Sequence, residues 1–244
     1  MSSPTDRPPA RQRRRTRATR ARILDAALRE LGRNPDSSLG DIAEAAGVAR
    51  RTLYTHFAGR AALVRGLTED AVRAIGHAMA DLSALDAGQG AGRGAGTGSG
   101  PGTDPYLRSG SESDPASALA RFVLTLWPVG DAYRTLIGLA PQDLGPDHLS
   151  ELLAPARETV AGILAEGQRR GVFHAVVPPG PLSTAVEAHL LALLGTVNAG
   201  IWADDGSGAA TSALIAVGVD SATATATVRG LHAPGPLPAA RRHH

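Results

Sequence analysis

The chain has no cysteine and no lysine, and aromatic residues make up only 3% of its 244 positions. Without cysteine there is no disulfide, no zinc-thiolate site and no cysteine nucleophile. With so few aromatics the core must come mainly from Ala, Leu and Val, which favours close-packed helices over sheets. All 25 basic residues are arginine, a uniformity that genomic base composition can produce, so arginine preference alone is no phosphate signal. No apolar run approaches the roughly 20 residues of a membrane span. The N-terminus also lacks the apolar centre of a signal peptide. The expectation is a soluble, cytoplasmic protein without a membrane partner. No GxSxG, HExxH or Walker loop occurs, so no catalytic residue, metal site or cofactor is assigned.

What is present is unevenly charged. Between Arg7 and Arg65 there are 14 arginines against 5 acids, and from Gly66 onward 11 arginines against 17 acids. A net charge of +2 conceals this. A one-sided basic region is the electrostatic footprint of a polyanion binder.

Length predicts one or two compact units. Residues 1–15, "MSSPTDRPPARQRRR", read as a disordered basic arm. Ile23, Leu24, Ala27, Leu28 and Leu31 recur at helical spacing until Gly32, Asn34 and Pro35 stop them. A second helix is expected after Ser38, with Asp41 completing a capping-box arrangement, as far as Ala46 and the break at Gly47. A third, from about Arg50 to Phe57, should bury Val48, Leu53 and Phe57 and turn Arg50, Arg51, Thr52, Thr55 and His56 outward. A long helix follows Gly59, with a stripe from Leu63 to Leu85. Residues 86–114 are Gly/Ser-rich and read as a flexible insertion. Helical patterning resumes near 116–127, 131–139, 147–170, 181–203, 208–217 and 220–229. Pro128, Pro141 with Gly145, and Gly171 are the expected stops, and the tail from 231 to 244 reads as loose.

Two short helices joined by a Gly turn, the second presenting Arg and Thr, form a helix-turn-helix whose second helix can enter the major groove. Arg offers bidentate donors to base edges, and hydroxyls reach bases or phosphates. "SLGDIAEAAGVARRTLYTHFAGRAALV" resembles the signature of the TetR (tetracycline-repressor) family of transcriptional regulators. Ser38, Ile42, Ala43, Ala46, Gly47, Val48, Thr52, Leu53, Tyr54, His56, Phe57 and Leu63 stand at matching positions. The resemblance implies an all-α fold: a three-helix DNA-binding domain over 16–62, then a helical ligand-binding and dimerisation domain over 63–230. It also implies that Ser38, Tyr54, His56 and Arg60 touch phosphates, while Arg50, Arg51, Thr52 and Thr55 face bases or nearby backbone. Three positions depart from the pattern: Ala49 replaces a capping Ser, Arg51 a small residue and Arg60 a Lys. The stretch Arg11–Arg22 has two readings, a basic arm threading along the minor groove or a source of non-specific, salt-sensitive attraction.

A single helix-turn-helix contacts few base pairs, so a homodimer on a palindromic double-stranded DNA operator is expected. The stripe Leu182, Val186, His189, Leu190, Leu193, Val197 and Ile201 is the candidate interface; the chain's own core is the other reading. The resemblance further implies a cavity for a small-molecule effector, near which Trp127, Tyr133, His189, Asn198 and Trp202 are placed. The resulting expectation is a ligand-released repressor. The alternatives are a metal-responsive regulator drawing on His148, Glu151, His174 and His189, or a helical enzyme.

Overall fold

The structure, a computed structural model, describes residues 10–91, 114–144 and 147–232. Residues 86–91, expected to open the insertion, instead continue the long helix Arg60–Ala91, and residues 231–232, expected in the tail, end a helix. The first nine residues of the expected arm, residues 92–113 of the insertion expected over 86–114, and residues 233–244 of the expected tail lie outside the described residues. The regular structure within them is helical: α1 (Ala10–Arg33), α2 (Leu39–Ala45), α3 (Arg50–His56), α4 (Arg60–Ala91), α5 (Pro115–Ala132), α6 (Leu136–Leu144), α7 (His148–Arg169), α8 (Pro179–Asn198), α9 (Ser207–Ala216) and α10 (Ser221–His232). The all-α expectation holds. The chain divides into two compact units.

The first unit runs to Arg73 and includes Tyr133–Leu152. Its core joins Ile23, Leu24, Ala27 and Leu31 of α1 to Ile42 and Ala43 of α2, Leu53 and Phe57, and Leu63, Val64 and Leu67 of α4. Leu136 and Leu139 of α6 complete the same cluster, so a helix that sequence spacing assigned to the regulatory half builds the core of the head. α1 begins earlier than expected, at Ala10, and residues 10–15 are helix rather than disordered arm. Beyond Pro9 the run of Ala, Gln and Arg is rich in good helix formers, and no breaker appears before Gly32.

The second unit takes Ala74–Ala132 and the chain from Leu153 onward. α5, α9 and α10 pack on one another, and α8 packs on α5 and α9. Ala209, Ala210 and Ala213 are wholly buried beside Leu214, and such small side chains let helix axes approach closely. Arg157 of α7 donates to both carboxylate oxygens of Glu187 on α8, at 2.8 and 3.2 Å.

Two expected stops are corrected. α5 continues through Pro128 and α6 through Pro141. A helical proline costs about 3 kcal/mol, but Leu119, Phe122, Val123 and Trp127 of α5 are all buried, each contributing about 1.5–3 kcal/mol. Packing outweighs the local penalty. The opposite correction applies to α8, which ends at Asn198 instead of reaching 203. Amides of Gly200 and Ile201 donate back to Val197 and Thr196, both at 3.0 Å, and close the helix.

α7 ends as expected at Gly171, whose φ is +69°. The Val172 amide donates to the Gly167 carbonyl at 2.8 Å, which folds the buried Phe173 ring back onto Gly167. A Cβ at position 167 would collide with that ring. Gly167→Ala should therefore destabilise the chain by about 1–3 kcal/mol. A urea midpoint equal to that of the parent protein would show that the ring moves aside freely.

Candidate nucleic-acid interface

Ser38 caps α2 through a complete capping box. Its hydroxyl accepts from the Asp41 amide at 3.2 Å, and Asp41 accepts from the Ser38 amide at 2.9 Å. The Ser38 hydroxyl, donating to the Asp41 carboxylate at 2.7 Å, then the Ser38 amide, with Arg50 nearby, hold that carboxyl below its ordinary value. Ser38→Ala should lower the stability of the head by about 0.5–2 kcal/mol. Chemical denaturation measures this directly, and an unaltered midpoint would mean that water replaces the cap without loss.

Gly47 makes the turn. With φ at +62°, it lets its own amide reach Glu44 and the Val48 amide reach Ala43, both at 2.9 Å. A residue bearing a Cβ is strained in that conformation. Ala49 then starts α3 with no side-chain cap, as its identity predicts. Leu53 and Phe57 are buried and Val48 partly so. Their anchoring leaves Arg50, Arg51, Tyr54 and Thr55 exposed, and Thr52 and His56 half-exposed. Tyr54 keeps 54% of its surface in water. The Thr55 hydroxyl donates to the Arg51 carbonyl at 2.9 Å, which leaves its methyl and acceptor lone pairs outward.

One supporting position escaped the sequence reading. The Arg50 guanidinium lies against Gly40, so closely that a Cβ there would meet Nη2 at 2.7 Å. The available signal was a glycine in the first turn of a seven-residue helix, where nearly any other residue has better propensity. Arg60 is held differently from its neighbours. It donates to the Pro35 carbonyl at 2.6 Å and the Ser37 carbonyl at 3.3 Å, and lies 3.5 Å from Asp143 of α6. In this structure it clasps the loop before Ser38 instead of projecting from the surface.

The five residues assigned to an effector cavity are not gathered. Trp127 and Trp202 meet edge to face at 6.1 Å, with the Trp127 indole donating to the Asp204 carbonyl at 3.1 Å. His189 sits 2.7 Å from the Ser212 hydroxyl, and Asn198 is exposed at the end of α8. Tyr133 belongs to the first unit, where it donates to Asp70 at 3.0 Å. Burial, then that hydrogen bond, pushes its phenol from 10.0 up to about 12. An unfolded chain would ionise near 10 while the folded chain keeps the proton, so this contribution to stability is whole below pH 10 and lost between 10 and 12. Tyr133→Phe should flatten that alkaline loss in denaturation measured from pH 8 to 12; an unchanged slope would locate the loss elsewhere.

A cavity of about 160 Å³ does exist in the second unit. Met79, Leu82 and Ser83 of α4, Ala118, Arg121 and Phe122 of α5, and Thr159 and Ile163 of α7 line it. Sequence reasoning chose conspicuous aromatic and polar-tipped residues, whereas five of these eight lining residues are apolar and only Phe122 is aromatic. Among the described residues no group of three or more His, Cys, Asp or Glu converges on a metal-sized site, so the metal-sensor alternative gains no support; the His148 side chain lies outside the described residues.

The α3 surface can donate paired hydrogen bonds and positive charge to a polyanion. Its comparisons point the same way. Residues 23–67 match the family model for bacterial regulatory proteins, tetR family. Over 67 residues the chain is 45% identical to the HTH-type transcriptional repressor LfrR of Mycolicibacterium smegmatis, a stretch that spans 28% of this chain and 33% of that protein. A gamma-butyrolactone receptor (ArpA-like protein) shares the fold with a TM-score of 0.60 and 19% identity over 89% of this chain and 98% of its own. RolR in complex with resorcinol shares it at 0.51 and 20%, over 92% and 97%. These are regulators, not enzymes.

Proposed function

We propose that this chain, whose residues 23–67 match the family model for bacterial regulatory proteins, tetR family, is a regulator of that family that represses transcription as a homodimer on a palindromic operator and is released by a small molecule. The observation that carries this reading is α3: seven residues, Leu53 turned inward with Phe57 buried just past the helix end, and Arg50, Arg51, Thr52, Tyr54, Thr55 and His56 left for DNA. In it, Arg50, Arg51, Thr52 and Thr55 read bases or adjacent backbone, and Ser38, Tyr54 and His56 take phosphates. Arg60 braces the loop that carries Ser38, and reaches a phosphate only if its carbonyl partners release it.

Pairing through α8 and α9 is supported by a half-open apolar face. Leu182 and Val186 are buried, while Leu190, Leu193 and Val197 further along the same stripe are only partly covered. A twofold pair would set two copies of α3 about 34–36 Å apart, or a multiple of it, along one face of the duplex.

For the effector, the cavity of about 160 Å³ is of the size of the roughly 150 Å³ engineered cavities that take up benzene, room for a single ring or a short chain. The names of the structural neighbours, a gamma-butyrolactone receptor and a resorcinol complex, are of that scale. Release requires that the effector bind the DNA-free state more tightly than the DNA-bound one. No described helix is long and apolar enough to cross a membrane, in keeping with action in the cytoplasm. Genome-wide recovery of bound DNA tests the reading: it should return a palindrome that the purified protein prefers over random competitor. Recovery of unrelated sequences, with no such preference at moderate salt, would overturn it.

A further inference from the structure

Arg11, Arg13, Arg14, Arg15 and Arg17 stand on the first two turns of α1, all exposed. The first acid on that helix is Asp25, and none of the five is paired among the described residues. One turn further along, Arg20 is fixed to the fold. Its guanidinium lies 5.3 Å from the centroid of the Phe57 ring, just past the end of α3, and pairs with Glu69 at 3.0 Å. At about 1.5 Å per residue, the five arginines extend roughly 5–14 Å beyond that anchor. The basic turns therefore leave the first unit from beside the C-terminal end of α3.

From this placement we propose that the first turns of α1 are a second DNA-contacting surface, one that binds backbone phosphates flanking the site read by α3. The proposal rests on the DNA-binding reading above. Between the two sequence readings of this stretch, dimensions decide. An α-helix is about 10–12 Å across and the minor groove about 6 Å wide. A helix over residues 10–17 cannot thread that groove, and the phosphate ridge is the surface it can meet. Turning about 100° per residue, Arg11, Arg14 and Arg15 share an arc of about 100°, and Arg13 and Arg17 share another of about 40°. Either face brings two or three charges to one strand.

Counterion release makes the count measurable, since the slope of log affinity against log salt is about −0.9 per phosphate neutralised. The test variant changes Arg11, Arg13, Arg14, Arg15 and Arg17 to Gln, which keeps helix propensity and leaves Arg20 in place. Affinities for the recovered operator duplex and for a random-sequence duplex are titrated over graded sodium chloride, with circular dichroism and urea denaturation confirming an intact fold. The slope should become shallower by about 2–3 per bound subunit on both duplexes, with the ratio of operator to random affinity unchanged. An unchanged slope overturns the proposal, as does a collapse of that ratio, which would mean that these arginines read bases. If the parent protein binds neither duplex, the proposal falls together with the DNA-binding reading; if it binds both and the variant keeps the slope, the proposal falls alone.

Discussion

Replacing Arg50 and Arg51 together by alanine should weaken binding to the recovered operator by about 2–6 kcal/mol per bound subunit, roughly 30-fold to 10⁴-fold for each copy of α3, with far less loss on random DNA. The estimate takes each arginine as one bidentate base contact of about 1–3 kcal/mol. Neither side chain contributes to the core, because both are exposed, so the urea midpoint should not fall. The two arginines differ in preparation. Arg50 lies along Gly40 with Asp41 close by, and less of its rotamer entropy remains to be lost on binding. It also sits in the first turn of α3, where the helix dipole disfavours a cation by about 0.3–1 kcal/mol. A residue kept at a locally unfavourable place, and braced there, is one whose charge is used. Fluorescence anisotropy against operator and scrambled duplexes makes the comparison. If the double variant binds both as the parent protein does, α3 is not the reading helix.

Bracing of this kind explains which parts of the head were legible in the sequence. Leu53 and Phe57 announce themselves by helical spacing, Ile42 by the family pattern, Ser38 and Asp41 by the three-residue interval of a capping box, and Gly47 as the break between two short helices. Each is a local signal, decided within one or two turns of chain. What the sequence concealed is non-local. Leu136 and Leu139 look like any helical pair, and only tertiary packing places them against α1–α4. Arg60 matches a phosphate-contacting position of the family pattern, yet the carbonyls that hold it lie 23 and 25 residues earlier. Pro128 and Pro141 are breakers by local rules, and buried neighbours override them. The cavity was missed for a related reason. Its lining comes from three helices distant in sequence and carries few residues that stand out by type.

Leu53→Ala should be the most damaging single change in the head, and by a different route from the arginine variants. Leu53 is wholly buried, in one cluster with Ile42, Phe57, Leu63 and Leu67. Truncating such a leucine costs about 2–5 kcal/mol, the spread reflecting how far the surrounding side chains close the void. That is a large part of the roughly 5–15 kcal/mol by which domains are stable. The local consequence is sharper still. A helix of seven residues is far below the roughly 12–15 at which isolated helices become even marginal, so α3 is helical because Leu53 and Phe57 dock it. Partial loss of that docking should release α3 before the rest of the head unfolds. Hydrogen exchange should therefore show faster exchange at residues 50–57 than in α1, and affinity should fall on operator and random DNA alike, since contacts of both kinds depend on the helix. The arginine pair alters recognition on an intact scaffold, whereas Leu53 alters the scaffold itself. Were Leu53→Ala to keep the parent midpoint and slow exchange across α3, the docking of that helix would have to rest on Phe57 and the capped α2 alone.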